Sequence, residues 1–131
     1  MTVDEVVRAL ASEDAADRRA AAEAVTQDPE LAAAACVPLL DGLTDEDAEV
    51  RELISAALED CGEPDADAVA LLSRLRMPDE AVGYWAATLL GRLGEQAQPV
   101  AGEMRAAKAD VSPTVRARID RMLAKIEGRD V

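Results

Sequence analysis

The sequence predicts an all-α protein, a right-handed α-solenoid of about four helical hairpins (eight helices), on three observations. An apolar stripe with helical spacing recurs along the chain every 32 or 33 residues. A second stripe recurs between its copies with the same period. No segment alternates as a strand does, and none reaches the roughly 20 apolar residues that span a bilayer. A period in the low thirties marks a stack of helical hairpins, in which each copy buries the apolar face of its neighbour.

The reference copy is DEDAEVRELISAALEDCG, residues 45–62. Its acidic start suits the positive end of a helix dipole. Val50, Leu53, Ile54, Ala57, Leu58 and Cys61 then follow three and four apart, one face of a helix. Gly62 ends it and Pro64 prevents continuation. The same places hold Asp17, Ala20, Ala21, Ala24 and Val25 one period earlier. They hold Val82, Trp85, Ala86, Leu89, Leu90 and Leu93 one period later, then Val115, Arg118, Ile119, Met122, Leu123 and Ile126. We term these the A-type helices. The intervening B-type series runs Val6, Val7, Leu10; Leu39, Leu40, Leu43; Leu71, Leu72, Leu75; and Met104, Arg105, Lys108, its weakest copy.

In chain order, Thr2 and Glu5 form a capping box for a helix over residues 3–11. Ser12 is the expected cap of the next helix, which runs to Thr26. Asp28-Pro29, a cap followed by proline at the first helical position, opens a B-type helix ending near Leu43. Pro38 lies inside it and is expected to kink or split it. Thr44-Asp45 is the expected start of the reference helix, and residues 62–65 are a turn into a helix ending near Arg76. Met77-Pro78-Asp79 opens the third A-type helix, which Gly94 ends. Gln98-Pro99 begins the last B-type helix, which Gly102 is expected to bend. Ser112-Pro113 opens the last A-type helix, closed by Gly128 before a frayed tail, Arg129-Asp130-Val131. A charge at Arg118, where earlier copies carry Leu53 and Trp85, suits a terminal repeat with a polar outer face. A complete small protein is expected on that ground.

With its Asp, a Val-Arg pair six residues on, small and aliphatic residues and a closing Gly, the stretch 45–62 resembles the first helix of a HEAT-like repeat. Asp45 with Arg51 and Asp110 with Arg116 repeat the spacing, and Ser12 with Arg18 is a softened version. The third copy departs from it, with Met77 and Gly83 at those places. The resemblance implies an interaction protein, since such repeats mostly bind proteins and few act as enzymes. It also implies that these Asp and Arg residues form a structural ladder tying neighbouring repeats by hydrogen bonds. Bilin lyases and helical-repeat DNA glycosylases are the enzymes of similar fold.

Composition narrows the classes. A chain of 131 residues is expected to form one domain, 1–131, burying roughly two thirds of its unfolded surface. The formal charge of −13 argues against nucleic acid and for a protein partner, a basic one where charge decides. The charge is uneven: residues 41–67 carry eleven acids and one Arg, residues 100–131 five acids and seven bases. Nothing calls for a membrane, and the acidic start is unlike a signal peptide. Cys36 and Cys61 sit at core places of the repeat, so buried thiols in a reducing cytoplasm are expected. There is no His and no CxxC, so neither a metal site nor a cofactor is expected. Without a His base, a phosphate loop or a paired nucleophile, no enzyme activity is expected.

Two places are candidates for binding. The third copy gains the sole Tyr and Trp, Tyr84 and Trp85. Neighbours on a helix point about 100° apart, so Trp85 is expected buried at the place of Leu53 and Tyr84 exposed at the place of Glu52. The B-type helices offer Asp41, Arg74, Arg76, Arg105 and Lys108, expected on a concave face. The expectation is an adaptor or regulatory module that binds a protein through one of these surfaces. A lyase-like or other small-molecule role is the alternative. A monomer is expected, with head-to-tail self-association as a further option.

Overall fold

The computed structural model describes residues 1–128; the expected frayed tail, Arg129 to Val131, lies outside them. The regular structure of the described residues is entirely helical. The α-helices are α1 (Val3–Leu10), α2 (Ala15–Thr26), α3 (Pro29–Ala34), α4 (Cys36–Gly42), α5 (Ala48–Asp60), α6 (Ala68–Leu75), α7 (Glu80–Leu93), α8 (Ala101–Ala107) and α9 (Pro113–Ile126). All eight expected helices are present, and the second B-type helix is two pieces, α3 and α4. The last B-type helix begins as a 3-10 helix, Gly94–Val100, before α8. The chain divides into two compact units, Met1–Asp65 and Ala66–Val131.

In the first unit α1 packs on α2, α2 lies beside α5, and α3 and α4 pack on α5. The core joins the predicted stripes: Val6, Leu39, Leu40, Val50, Ile54 and Leu58 are fully buried. Each such side chain contributes about 1.5–3 kcal/mol on leaving water. The weak stripe of α2 is shifted from expectation, with Ala21, Ala22 and Val25 buried and Asp17 and Ala20 exposed. Small residues there let α2 and α5 approach closely.

In the second unit α6 packs on α7, α7 lies beside α9, and α8 packs on α9. Leu71, Leu75, Ala86, Leu89, Leu90, Met104 and Ile119 are fully buried. Two glycines of α7 set its approach to α9. A Cβ at Gly91 would lie 3.0 Å from Met122 Cγ and 3.1 Å from its Cβ, so Met122 occupies the space a side chain would need. A Cβ at Gly83 would lie 3.2 Å from the Leu75 carbonyl oxygen and 3.3 Å from both methyls of Val115. A side chain at that ladder place would require these neighbours to give by a few tenths of an ångström.

The helix starts follow one rule that corrects two expected caps. Asp14, not Ser12, caps α2, and Asp47, not Asp45, caps α5. In both cases the earlier residue accepts the N–H of the true cap: Asp14 N–H donates to Ser12 Oγ (3.1 Å) and Asp47 N–H to Asp45 Oδ1 (2.9 Å). Two cap-competent residues two apart divide the work, one folding the turn and the other starting the helix. Thr2 with Glu5, Asp28, Asp79 and Ser112 cap as expected. Gly94 ends α7 with φ +59°, a conformation that favours glycine.

Pro38 splits its helix three residues before itself. It has no N–H for the Ala34 carbonyl and its ring crowds that group, so α3 stops at Ala34 and α4 restarts at Cys36. The break also frees the Ala33 carbonyl, which accepts the Asp65 N–H at 3.1 Å.

Candidate functional site

The aromatic pair of the second unit organises the most distinctive surface. Tyr84 and Trp85 stand edge to face on α7, ring centroids 5.6 Å apart and planes at 88°. The guanidinium of Arg118, from α9, lies over the Tyr84 ring at 4.8 Å. Its Nε donates to Thr88 Oγ1 at 2.9 Å, and Thr88 Oγ1 donates to the Tyr84 carbonyl at 2.9 Å. Arg92, two turns along α7, lies over Trp85 at 5.8 Å. The result is a row of two rings between two guanidiniums.

This geometry corrects three expectations. Trp85 is half-buried, not buried, and Tyr84 is half-buried, not exposed. Both rings lie between core and solvent. Arg118 does not form a polar outer face: it folds back onto α7. Thr88 and Arg92 escaped notice in the sequence, and Arg118 was noted there only as a terminal charge. The signal was there, since residues 84, 88 and 92 share one helix face and Arg118 holds the place of Trp85 in the next copy.

The ladder residues are held at the turns. In the first unit Arg18 Nε donates to Asp45 Oδ2 at 2.8 Å and Nη2 to Oδ1 at 3.3 Å, tying the first two copies. Arg18 Nη1 also donates to the Ser12 and Glu13 carbonyls, at 2.9 and 3.0 Å. Burial alone would raise the Asp45 carboxyl. The Asp47 N–H and the Arg18 guanidinium outweigh it and hold Asp45 below the ordinary carboxylate value. Arg51 reaches only the Asp45 carbonyl (2.6 Å), so it is Arg18 that bridges copies. In the second unit Arg116 likewise bonds turn carbonyls, of Lys108 (2.9 Å) and Val111 (3.3 Å). Asp110 takes its guanidinium from Arg76 Nε at 3.1 Å. The third copy therefore keeps a clamp to the fourth, supplied from the end of α6 and not from position 83, which is Gly.

The B-type charges are not gathered into one constellation within the second unit. Arg76 is committed to Asp110, Arg105 pairs with Glu127 at 2.8 Å, and Lys108 pairs with Asp120. Arg74 is half-buried and donates to Ser73 Oγ at 2.7 Å. In the first unit Asp41 is exposed on the wall of a hollow between α1 and α4.

Cys36 and Cys61 are free and buried. Burial, reinforced by the neighbouring Cys61, pushes the Cys36 thiol up to about 11. It is no nucleophile at neutral pH. Among the described residues, no group of three or more His, Cys, Asp or Glu is arranged to hold a metal ion. Nor is any of their helices long and apolar enough to cross a membrane. Charge divides with the units: Met1–Asp65 carries eighteen acids and four bases, net −14, and Ala66–Val131 nine acids and ten bases, net +1.

In comparison with known proteins, no family model matches the chain, and no curated protein matches it.

Proposed function

We propose that the chain is a HEAT-like α-solenoid that binds a protein partner and performs no chemistry of its own, acting as an adaptor or regulatory module. The observation that carries the reading is the row Arg118–Tyr84–Trp85–Arg92, half-buried on α7 and α9. Aromatic rings with few rotatable bonds, flanked by arginine, are the commonest anchors of protein interfaces. The guanidiniums lie against ring faces, so little ordering remains to be done when a partner arrives. The repeat register further supports the reading, since stacked hairpins present extended surfaces suited to macromolecules.

The test is affinity capture of the full chain from its native cells, with partners identified after mild cross-linking. Tyr84→Ala and Arg118→Ala are each expected to weaken the captured complex about tenfold or more. Glu103→Gln, an exposed change on α8, should leave it intact. Complexes that survive both Tyr84→Ala and Arg118→Ala at unchanged affinity would overturn the reading.

A further inference from the structure

The first unit carries a hollow, part apolar and part acidic, that the aromatic surface does not involve. Val7 and Leu10 of α1, with Ala11 just after it, face Pro38 and Asp41 of α4 and the following Thr44 across a space of roughly 320 Å³. Val7 is 41% exposed, although the equivalent Leu40 of α4 is fully buried. The same repeat position is thus closed in the second copy and open in the first. Asp41 and Asp45 line the hollow, and the residues that follow add three more acids, Glu46, Asp47 and Glu49, with no base from 41 to 49. Arg18 and Arg19 of α2 offset part of that charge, Arg18 at Asp45 and, at 4.0 Å, at Glu46, and Arg19 at Asp47 and Glu49. The Glu46 side chain remains 94% exposed, and the unit as a whole stands at −14. A second, wider depression over α1 and α2 is lined by polar groups already engaged in capping, such as Thr2 and Glu5.

We propose that the hollow between α1 and α4 seats a basic segment of a partner protein, with an aliphatic side chain between the helices and Lys or Arg residues along the acidic lip. Charge complementarity selects this occupant. A neutral apolar segment would fill the hollow but leave the lip unmatched, and an acidic one would be repelled. The proposal is independent of the surface on α7 and α9, and either stands if the other falls.

Fluorescence anisotropy of the full chain with a labelled peptide, Lys-Arg-Leu-Leu-Lys-Arg, tests it. Binding is expected, falling about tenfold in Val7→Glu, which places a carboxylate in the hollow. It should fall similarly in the double variant Asp41→Lys, Glu46→Lys, and steeply as salt rises from about 0.05 to about 0.5 M. Lys125→Gln should not change it. Because Val7, Asp41 and Glu46 are exposed, circular dichroism of each variant is expected to match the parent. No binding by the parent, equal binding by both variants, or equal binding of Lys-Arg-Ser-Ser-Lys-Arg would overturn the proposal. So would sedimentation showing that the parent self-associates and Val7→Glu does not, which would make a second copy the occupant.

Discussion

The two units join their paired A-type helices by different means. In the first, α2 and α5 are clamped at one end by Arg18 and Asp45, whose side chains are 11% and 10% exposed, and close along their length on alanines. In the second, the corresponding clamp of Arg76 and Asp110 is 49% and 60% exposed. There α7 and α9 interlock instead, Met122 against Gly91 and Val115 against Gly83, with Arg118 arched over Tyr84. The lesson is that a pair of neighbouring helices admits a polar lock at the turn or a steric lock along the helix. Where the second is used, the first is free to become weak and solvent-exposed.

The largest effect is expected where the steric lock is removed. Met122→Ala empties the space beside Gly91 and should cost about 2–5 kcal/mol of unfolding free energy in urea titration. The reciprocal change, Ala57→Met, puts the same side chain at the matching place of the first unit, where Thr26 stands in place of Gly91. It should overpack and cost about 1–3 kcal/mol. If Ala57→Met proves neutral, the two contacts are more alike than described.

A smaller effect separates the two clamps. Asp45→Ala should lower Tm by more than Asp110→Ala, since an exposed pair contributes little. It should also change the acid limb of stability. A carboxyl held low in the folded state stabilises fully above the ordinary carboxylate pKa of about 3.9 and loses that contribution as pH falls through its folded value. The difference between parent and Asp45→Ala should therefore persist at neutral pH and shrink in acid below about pH 4. Equal Tm losses for the two variants would remove the distinction between clamps.

The smallest effect is alkaline and confined to the first unit. The Cys36 thiol rises from 9.0 to about 11 on folding, so its contribution is intact below pH 9 and declines as pH rises through about 11. Cys36→Ser should flatten part of that decline. At pH 8 the native thiol should react with a maleimide far more slowly than the denatured one.

Much of this was legible in the residues. Stripes and stop signals located the eight expected helices, because both act locally, but not the 3-10 segments at Gly94–Val100 and Lys108–Asp110. The second cap at residues 14 and 47 was missed because Ser12 and Asp45 are equally competent, and only the folded turn shows which residue starts the helix. Arg118 was misread because a charge at a core place has two physical solutions, facing solvent or covering a ring, and the ring lies thirty-four residues away at Tyr84. The half-burial of the aromatic pair includes the cover that Arg118 of α9 gives Tyr84, which a one-helix projection does not contain. The supply of a guanidinium to Asp110 from Arg76 crosses helices in the same way.

The interruption at Ala35 has a use beyond relieving proline. A continuous helix would have spent the Ala33 carbonyl internally; broken, it offers that oxygen as a latch for the segment leaving the first unit, through the amide of Asp65. Healing the helix with Pro38→Ala would strengthen local winding and evict the departing segment. In amide exchange, the position that loses protection would then be Asp65, twenty-seven residues from the mutation.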